Sequence, residues 1–231
     1  MNELMRRRRP LMVTADAGVP ITSLTPGVAV YATESGTIVP FIYLGLNSSD
    51  NACIMRAFCL TNQIQFNTAA AKPEYSGSNL DNWLRNTIRT KYTRLQKFMT
   101  KSAITYGTYD NSHVESVVTI ERDIYVPSFY EVTGSGIEGG ANYLPVLKTY
   151  KNTTNNNTAR NANNTSYWLR SEFSSSSYSN RVNIVEASGN CTRNQSFQPS
   201  NSVSPKARPI ISLLATTPIF EVDGKAVVGG V

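Results

Sequence analysis

Arg170 and Arg208 are the residues whose setting most invites chemistry, because each interrupts a short apolar segment: Tyr167-Trp168-Leu169-Arg170-Ser171 and Ala207-Arg208-Pro209-Ile210-Ile211-Ser212-Leu213. A guanidinium inside a strand that enters a core must be paired and hydrogen-bonded. Glu131 and Glu172 are the carboxylates expected to serve as partners. Such an arginine either locks loop carbonyls and a carboxylate in place or grips a ligand, and the first is the ordinary use. Hydrolysis would ask for paired carboxylates or for a nucleophile beside a histidine base. Glu131, Glu138, Glu172 and Glu186 cannot be paired from sequence, and the single histidine, His113, stands in a polar stretch beside no evident nucleophile.

Between the two arginine segments the chain is almost free of aliphatic side chains, except at Val182 to Val185 and at Val203. The candidate ligand-binding residues are Tyr167, Tyr178, Asn180, Arg181, Arg193, Asn194 and Phe197. The aromatic ones offer flat apolar area at low side-chain entropy, and the polar ones adaptable hydrogen bonds, as antibody loops do. A merely solvated polar loop is the plain alternative for Phe173 to Ser204. Trp83, Trp168, Arg170 and Arg208 are assigned to the scaffold.

The three cysteines, Cys53, Cys59 and Cys191, form no CxxC pair, and His113 has no metal-ligand spacing to any of them. Neither a zinc site nor a dense disulfide framework is expected, and no cofactor is implied. Cys53 and Cys59 lie in an apolar run and read as small buried hydrophobes. Calcium-dependent sugar binding would need carboxylates clustered near the loops, and none is evident.

Of 231 residues, 40% are hydrophobic and only 16% charged. The missing charge is replaced by Asn, Ser and Thr, a surface suited to neutral polar ligands or packed neighbours. The net charge of +6 could point to nucleic acid, but Arg6, Arg7, Arg8 and Arg9 supply four of those charges in one run. That distribution argues against a nucleic-acid partner and for a solvated or partner-docking arm. The start lacks the apolar core of a secretory signal, and no segment reaches the length of a membrane span. Synthesis in a cytoplasm without a signal peptide is the expectation, with no membrane insertion.

These residues must be positioned by a mixed α+β arrangement. Residues 1–26 read as an extended basic arm. A hairpin follows from Val28-Ala29-Val30-Tyr31, a turn at Glu34-Ser35-Gly36 and Ile38 to Leu44, and another strand at Asn51 to Phe58. Ser78-Asn79-Leu80-Asp81 reads as a capping box opening a helix. In it Leu80, Trp83, Leu84 and Ile88 share a buried face, while Asp81, Asn82, Arg85 and Asn86 face water. Leu95 to Met99 begins a second short helix. Val117 to Ile120 and Asp123 to Pro127 read as strands, and Ser128 to Val132 as a short helix stopping at Gly134. Lys151 to Thr165, rich in Asn and Thr, is a long loop. Trp168, Leu169, Ile210, Ile211, Leu213 and Leu214 are the expected late-strand core. Residues 215–231 form a C-terminal hairpin tail turning at Asp223-Gly224.

Four ordered motifs, Ser78 to Leu84, Pro127 to Glu131, Trp168 to Ser171 and Arg208-Pro209, resemble a family of uncharacterised bacterial and phage domains, over roughly residues 27–214. The resemblance implies a C-type-lectin-like α+β fold, similar to that of formylglycine-generating enzymes and of diversified phage receptor-binding proteins. An oxidase of the formylglycine-generating type needs a pair of cysteines in its C-terminal site, and only Cys191 lies there, so no enzyme is expected. The start Met1 to Arg9 resembles the N-terminal segments of phage structural proteins. Together these imply a virion protein of the tail tip or fibre, whose arm docks on other virion proteins and whose loops recognise a bacterial surface glycan or protein. The alternative is a structural or decorating virion subunit. Virion attachment proteins suggest a homo-oligomer by analogy, most readily a trimer.

Overall fold

The computed structural model describes residues 18–67, 74–109, 115–134, 162–175, 178–191, 196–197 and 205–230. These form a sheet-rich α+β domain around one large core and one small one.

The expected first hairpin is present as β2 (Ala29–Glu34) and β3 (Thr37–Leu46). Ser35 and Gly36 turn it with positive φ at both positions, 49° and 83°, the geometry that matches the twist of the flanking strands. β4 (Ala52–Arg56) adds to β3, with a register shift between Tyr43 and Gly45. Gly45, at φ 96°, takes the backbone conformation that such a bulge requires.

The sheet is completed by segments from both ends of the chain. Its order runs β1 (Val19–Pro20), β12 (Pro218–Val222), β13 (Lys225–Val228), β2, β3, β4, β11 (Ile210–Leu213) and β7 (Ile124–Tyr125). β13 lies parallel to β2, and Asp223 and Gly224 turn the terminal hairpin with φ of 50° and 71°. That hairpin is therefore an interior part of the sheet rather than an appendage. Residues 18–26 likewise leave the expected arm: β1 pairs with β12, and Ile21 is fully buried and donates its backbone N–H to Thr217 at 2.8 Å. A Cβ on Gly18 would sit 2.5 Å from the Ile219 carbonyl oxygen, so the approach requires glycine.

The helix after Ser78 starts as expected, with the Ser78 Oγ accepting from the Asp81 N–H at 3.1 Å. It holds α geometry only over α1 (Asn79–Trp83), then widens into a π turn at Leu84–Ile88 and tightens to a 3-10 turn at Arg89–Lys91. Leu80, Leu84 and Ile88 are buried and Trp83 packs half-buried against the core. Asp81 departs from its expected watery face. It is fully buried because Arg122 reaches it with Nε and Nη2, each at 2.7 Å. The second helix expected at Leu95 to Met99 is a pair of turns closed by the Tyr92 and Leu95 carbonyls.

β5 (Ser102–Tyr109), which the sequence did not announce, pairs with β6 (Glu115–Arg122) over eight residue pairs without a bulge. A short helix, α2 (Phe129–Thr133), has the expected Ser128–Glu131 capping box and ends at Gly134 with φ 67°. β8 (Tyr167–Ser175), β9 (Tyr178–Val185) and β10 (Ser196–Phe197) form a separate three-stranded sheet. Its strand β8 is buried on both faces: Trp168 faces the main core, Tyr167 and Leu169 the small cluster containing Cys59, Phe129, Val132, Val185 and Cys191. Of the expected late-strand core, Leu214 alone is surface, at 43% exposure, one residue past the end of β11.

Candidate functional site

Arg170 is held in the interior by four hydrogen bonds from its guanidinium. Nη1 and Nη2 grip Glu131 Oε2 and Oε1 at 2.6 and 2.7 Å, Nη1 also reaches the Val126 carbonyl at 2.7 Å, and Nε the Thr105 carbonyl at 2.8 Å. The Tyr125 ring lies 5.2 Å from the guanidinium carbon. Glu131 also accepts the Ser128 N–H at 2.8 Å, so the carboxylate that closes the α2 cap is the counter-ion of β8. Burial works against the Arg170 charge, but Glu131 outweighs it and holds its pKa above the ordinary value. The first candidate partner named from sequence is thus the one used. Glu172 instead accepts the Tyr109 N–H at 3.0 Å.

Arg208 plays the parallel part for β11. It donates to the Arg56 carbonyl at 2.9 Å and the Ala57 carbonyl at 3.0 Å, and it lies 5.4 Å from the Tyr167 ring centre. Arg56 in turn donates to Glu34 at 2.9 Å and to the Phe58 and Cys59 carbonyls, and Tyr92 donates to the same Glu34 oxygen. The result is a belt of cations fastening the loop after β4. Tyr167, counted among the ligand-facing residues, is 1% exposed and belongs to this interior. Burial pushes its hydroxyl up to about 12.

The cysteines are equally internal. Cys53 touches the Tyr125 hydroxyl at 3.6 Å and burial pushes its thiol to about 12, while burial pushes Cys59 to about 11. Nucleophilic attack and metal binding both use the thiolate, and at neutral pH these two thiols stay protonated. Among the described residues no group of three or more His, Cys, Asp or Glu side chains is arranged to hold a metal ion.

The remaining candidates collect on the three-stranded sheet. Tyr178 opens β9 opposite Ser175, and Phe197 stands opposite Val182. Asn180 lies between them on β9. Arg181 is half-buried, opposite Phe173, and Nη1 reaches the Ser196 carbonyl at 3.5 Å. Arg193, Asn194 and the arm residues Arg6, Arg7, Arg8 and Arg9 lie outside the described residues, as does His113.

Asn183, which the sequence did not single out, pins this sheet. Its Nδ2 donates to the Ser171 and Glu172 carbonyls at 3.2 and 3.0 Å, beside the irregular register between Trp168 and Glu172. An asparagine flanked by Val182 and Ile184 was the available signal. Across from it stands Ser196, and both Asn183 Oδ1 and Ser196 Oγ are buried without a hydrogen-bond partner among the described residues.

The model of a family described as a domain of unknown function, DUF6273, matches residues 49–214. That span runs from just before β4 to just past β11 and takes in both buried arginines, both capped helices and the three-stranded sheet. No curated protein and no solved structure matches the chain.

Proposed function

Since this chain belongs to the DUF6273 family, whose description assigns no activity, its function must be read from its own residues, and we propose that it is a non-catalytic recognition module. It holds a bacterial surface glycan or protein with the edge of the β8–β9–β10 sheet and the loops that leave it. The observation that carries this reading is the internal saturation of the scaffold. Arg170, Arg208, Arg56 and Arg122 are each engaged by carboxylates or carbonyls of the domain itself. The segment this reading assigns to a ligand is Phe173 to Ser204, rich in Ser and Asn and carrying Tyr178, Arg181 and Arg193.

Such a surface binds by stacking and by neutral hydrogen bonds, a mode that rigid backing favours because less entropy is lost on capture. The backing here is β8, fastened by Arg170 and by the Trp168 indole, which donates to the Ile64 carbonyl at 2.8 Å. A C-type-lectin-like identity for the domain rests on the four ordered motifs. An α+β domain that gathers both ends of the described chain into one sheet is consistent with it. The likeness of Met1 to Arg9 to phage structural proteins extends the reading to a virion component docked by its basic arm.

The test is binding of labelled protein to a panel of bacterial cells, beside a folded variant with Tyr178, Arg193, Asn194 and Phe197 all changed to alanine. Selective binding that the variant loses supports the proposal. Absence of binding to any cell, with incorporation into virus particles retained, replaces it with a structural virion subunit. Binding should survive chelators; binding abolished by EDTA would overturn the metal-free mode.

A further inference from the structure

One run of cations is only partly absorbed by the frame. From Asn82 to Tyr109 the chain carries six, Arg85, Arg89, Lys91, Arg94, Lys97 and Lys101, and no aspartate or glutamate. Arg89 is neutralised by Asp123 at 2.7 Å, and Arg85 stands 3.8 Å from Asp81, a carboxylate that Arg122 already holds. Glu34, which the Tyr92 hydroxyl reaches, is taken by Arg56. Lys91, Arg94, Lys97 and Lys101 form no ion pair among the described residues.

The backbone sets three of these four in line. The N–H groups of Tyr92, Leu95 and Phe98 donate to carbonyls three residues back, those of Arg89, Tyr92 and Leu95, at 3.2, 2.9 and 2.8 Å. Tyr92 and Leu95 are fully buried and Phe98 packs against the core, so an inward residue recurs at every third position. Side chains three apart in such turns lie one above the other, about 6 Å apart. Lys91, Arg94 and Lys97, each just before an inward residue, make one outer row, with Arg94 and Lys97 exposed and Lys91 half-buried. The adjoining row, Thr90, Thr93 and Gln96, is polar and uncharged. Thr90 Oγ1 and Gln96 Nε2 donate to the Thr87 and Arg89 carbonyls, which leaves the side-chain oxygens to accept.

We propose that this ledge is a docking surface for an acidic polysaccharide, whose anionic groups follow the Lys91–Arg94–Lys97 row and whose hydroxyls meet Thr90, Thr93 and Gln96. A row of uncompensated cations beside neutral acceptors is complementary to a chain that carries both charge and hydroxyls. Nucleic acid fits the ledge less well. Single strands are held by stacking on exposed rings, whereas Tyr92 is buried and Lys97 lies over the Phe98 ring, 4.8 Å from its centre. Duplex grooves admit a helix or a two-stranded ribbon, and the row past Lys91 is a series of turns. The contact is weak alone; it raises the rate of encounter with a surface coated in acidic glycan. It goes beyond the recognition proposed for Phe173 to Ser204 and does not depend on it.

Binding of the full chain to immobilised polygalacturonate, with neutral dextran as the blank, tests the inference. Binding at about 50 mM salt that weakens steeply towards about 200 mM is expected. The triple change K91Q/R94Q/K97Q should lower affinity at the lower salt by about tenfold or more and reduce the slope of log affinity against log salt by about 2. K148Q/K151Q/K225Q removes the same charge elsewhere and should leave affinity within about twofold. Should the half-buried Lys91 prove necessary for folding, seen as a changed circular dichroism spectrum, R94Q/K97Q at exposed positions should still lower affinity by about fivefold. No binding to polygalacturonate, or equal losses in the row variant and the charge-matched variant, overturns the proposal. Tighter binding to single-stranded or duplex DNA of similar charge, lost in the row variant, replaces it with a nucleic-acid surface.

Discussion

At Arg170 a fully buried cation makes four hydrogen bonds, two of them to one carboxylate, while on the next two strands of the same sheet Asn183 Oδ1 and Ser196 Oγ lie buried opposite each other with no partner among the described residues. The first region is saturated: the residue types that chemistry commonly uses, Arg, Glu and Cys, are engaged there in holding strands together. The second retains hydrogen-bonding capacity in side chains that carry no charge. The contrast teaches that, in this domain, buried charge marks the frame, and under the proposed reading the place to look for a ligand is where neutral amides and hydroxyls collect.

Replacing one member of the saturated pair should break the contrast most severely. R170M leaves Glu131 buried without its counter-charge and is expected to lose about 3–5 kcal/mol of stability in urea unfolding. The double change R170M with E131L should recover much of that loss, because the uncompensated charge disappears. A single substitution costing under about 1 kcal/mol would mean that water reaches the pair.

Alkaline unfolding reports the same saturation through the buried thiols. The pKa values of Cys53 and Cys59 are raised from 9.0 to about 12 and about 11, so the stability they contribute is fully present below pH 9. It is lost as pH rises towards their folded values, since the unfolded chain releases those protons first. Stability should therefore fall by about 1.4 kcal/mol per pH unit for each thiol between about pH 9.5 and 11. Changing both cysteines to alanine should flatten the limb between pH 9 and 10, before buried tyrosines add their share.

Asp81 tests whether a partly exposed version of the pair behaves alike. Arg122, its partner, keeps some contact with solvent, so D81N should cost less than R170M, about 2 kcal/mol, measured by the same unfolding. The smallest stability effect belongs to the second region. Alanine at Tyr178, Arg193, Asn194 and Phe197 together should move the unfolding free energy by no more than about 1 kcal/mol, yet abolish cell binding. Equal loss of stability and binding would erase the distinction between frame and surface.

Local signals were legible in the sequence. Ser35-Gly36 and Asp223-Gly224 turn hairpins as their types require, and Ser128 with Glu131 and Gly134 bounds α2. The Arg170–Glu131 pair could be proposed because both residues lie in apolar settings where a charge needs a partner. What stayed hidden depends on distant neighbours. Asp81 reads as a helix-surface residue until Arg122, 41 positions later, is brought beside it. Tyr167 reads as available because a strand buried on both faces loses the alternation that tells inside from outside. β5, with its serine, threonines and glycine, becomes a strand through pairing with β6 and contact with β8 rather than through its own pattern. The proposed recognition surface was legible only as composition.

The placement of β1 has a consequence for the order of synthesis. Its strand partner is β12, and β13 stands between β12 and β2. On the ribosome, β2, β3 and β4 can pair as they emerge, but the first described strand waits until residue 222 has been made before it has anything to pair with. A prematurely terminated chain would therefore keep its amino-terminal segment loose and the flank of β2 bare, an easy target for proteolysis. A chain extended past residue 222 can close both at once, so docking of β1 depends on translation having passed β12.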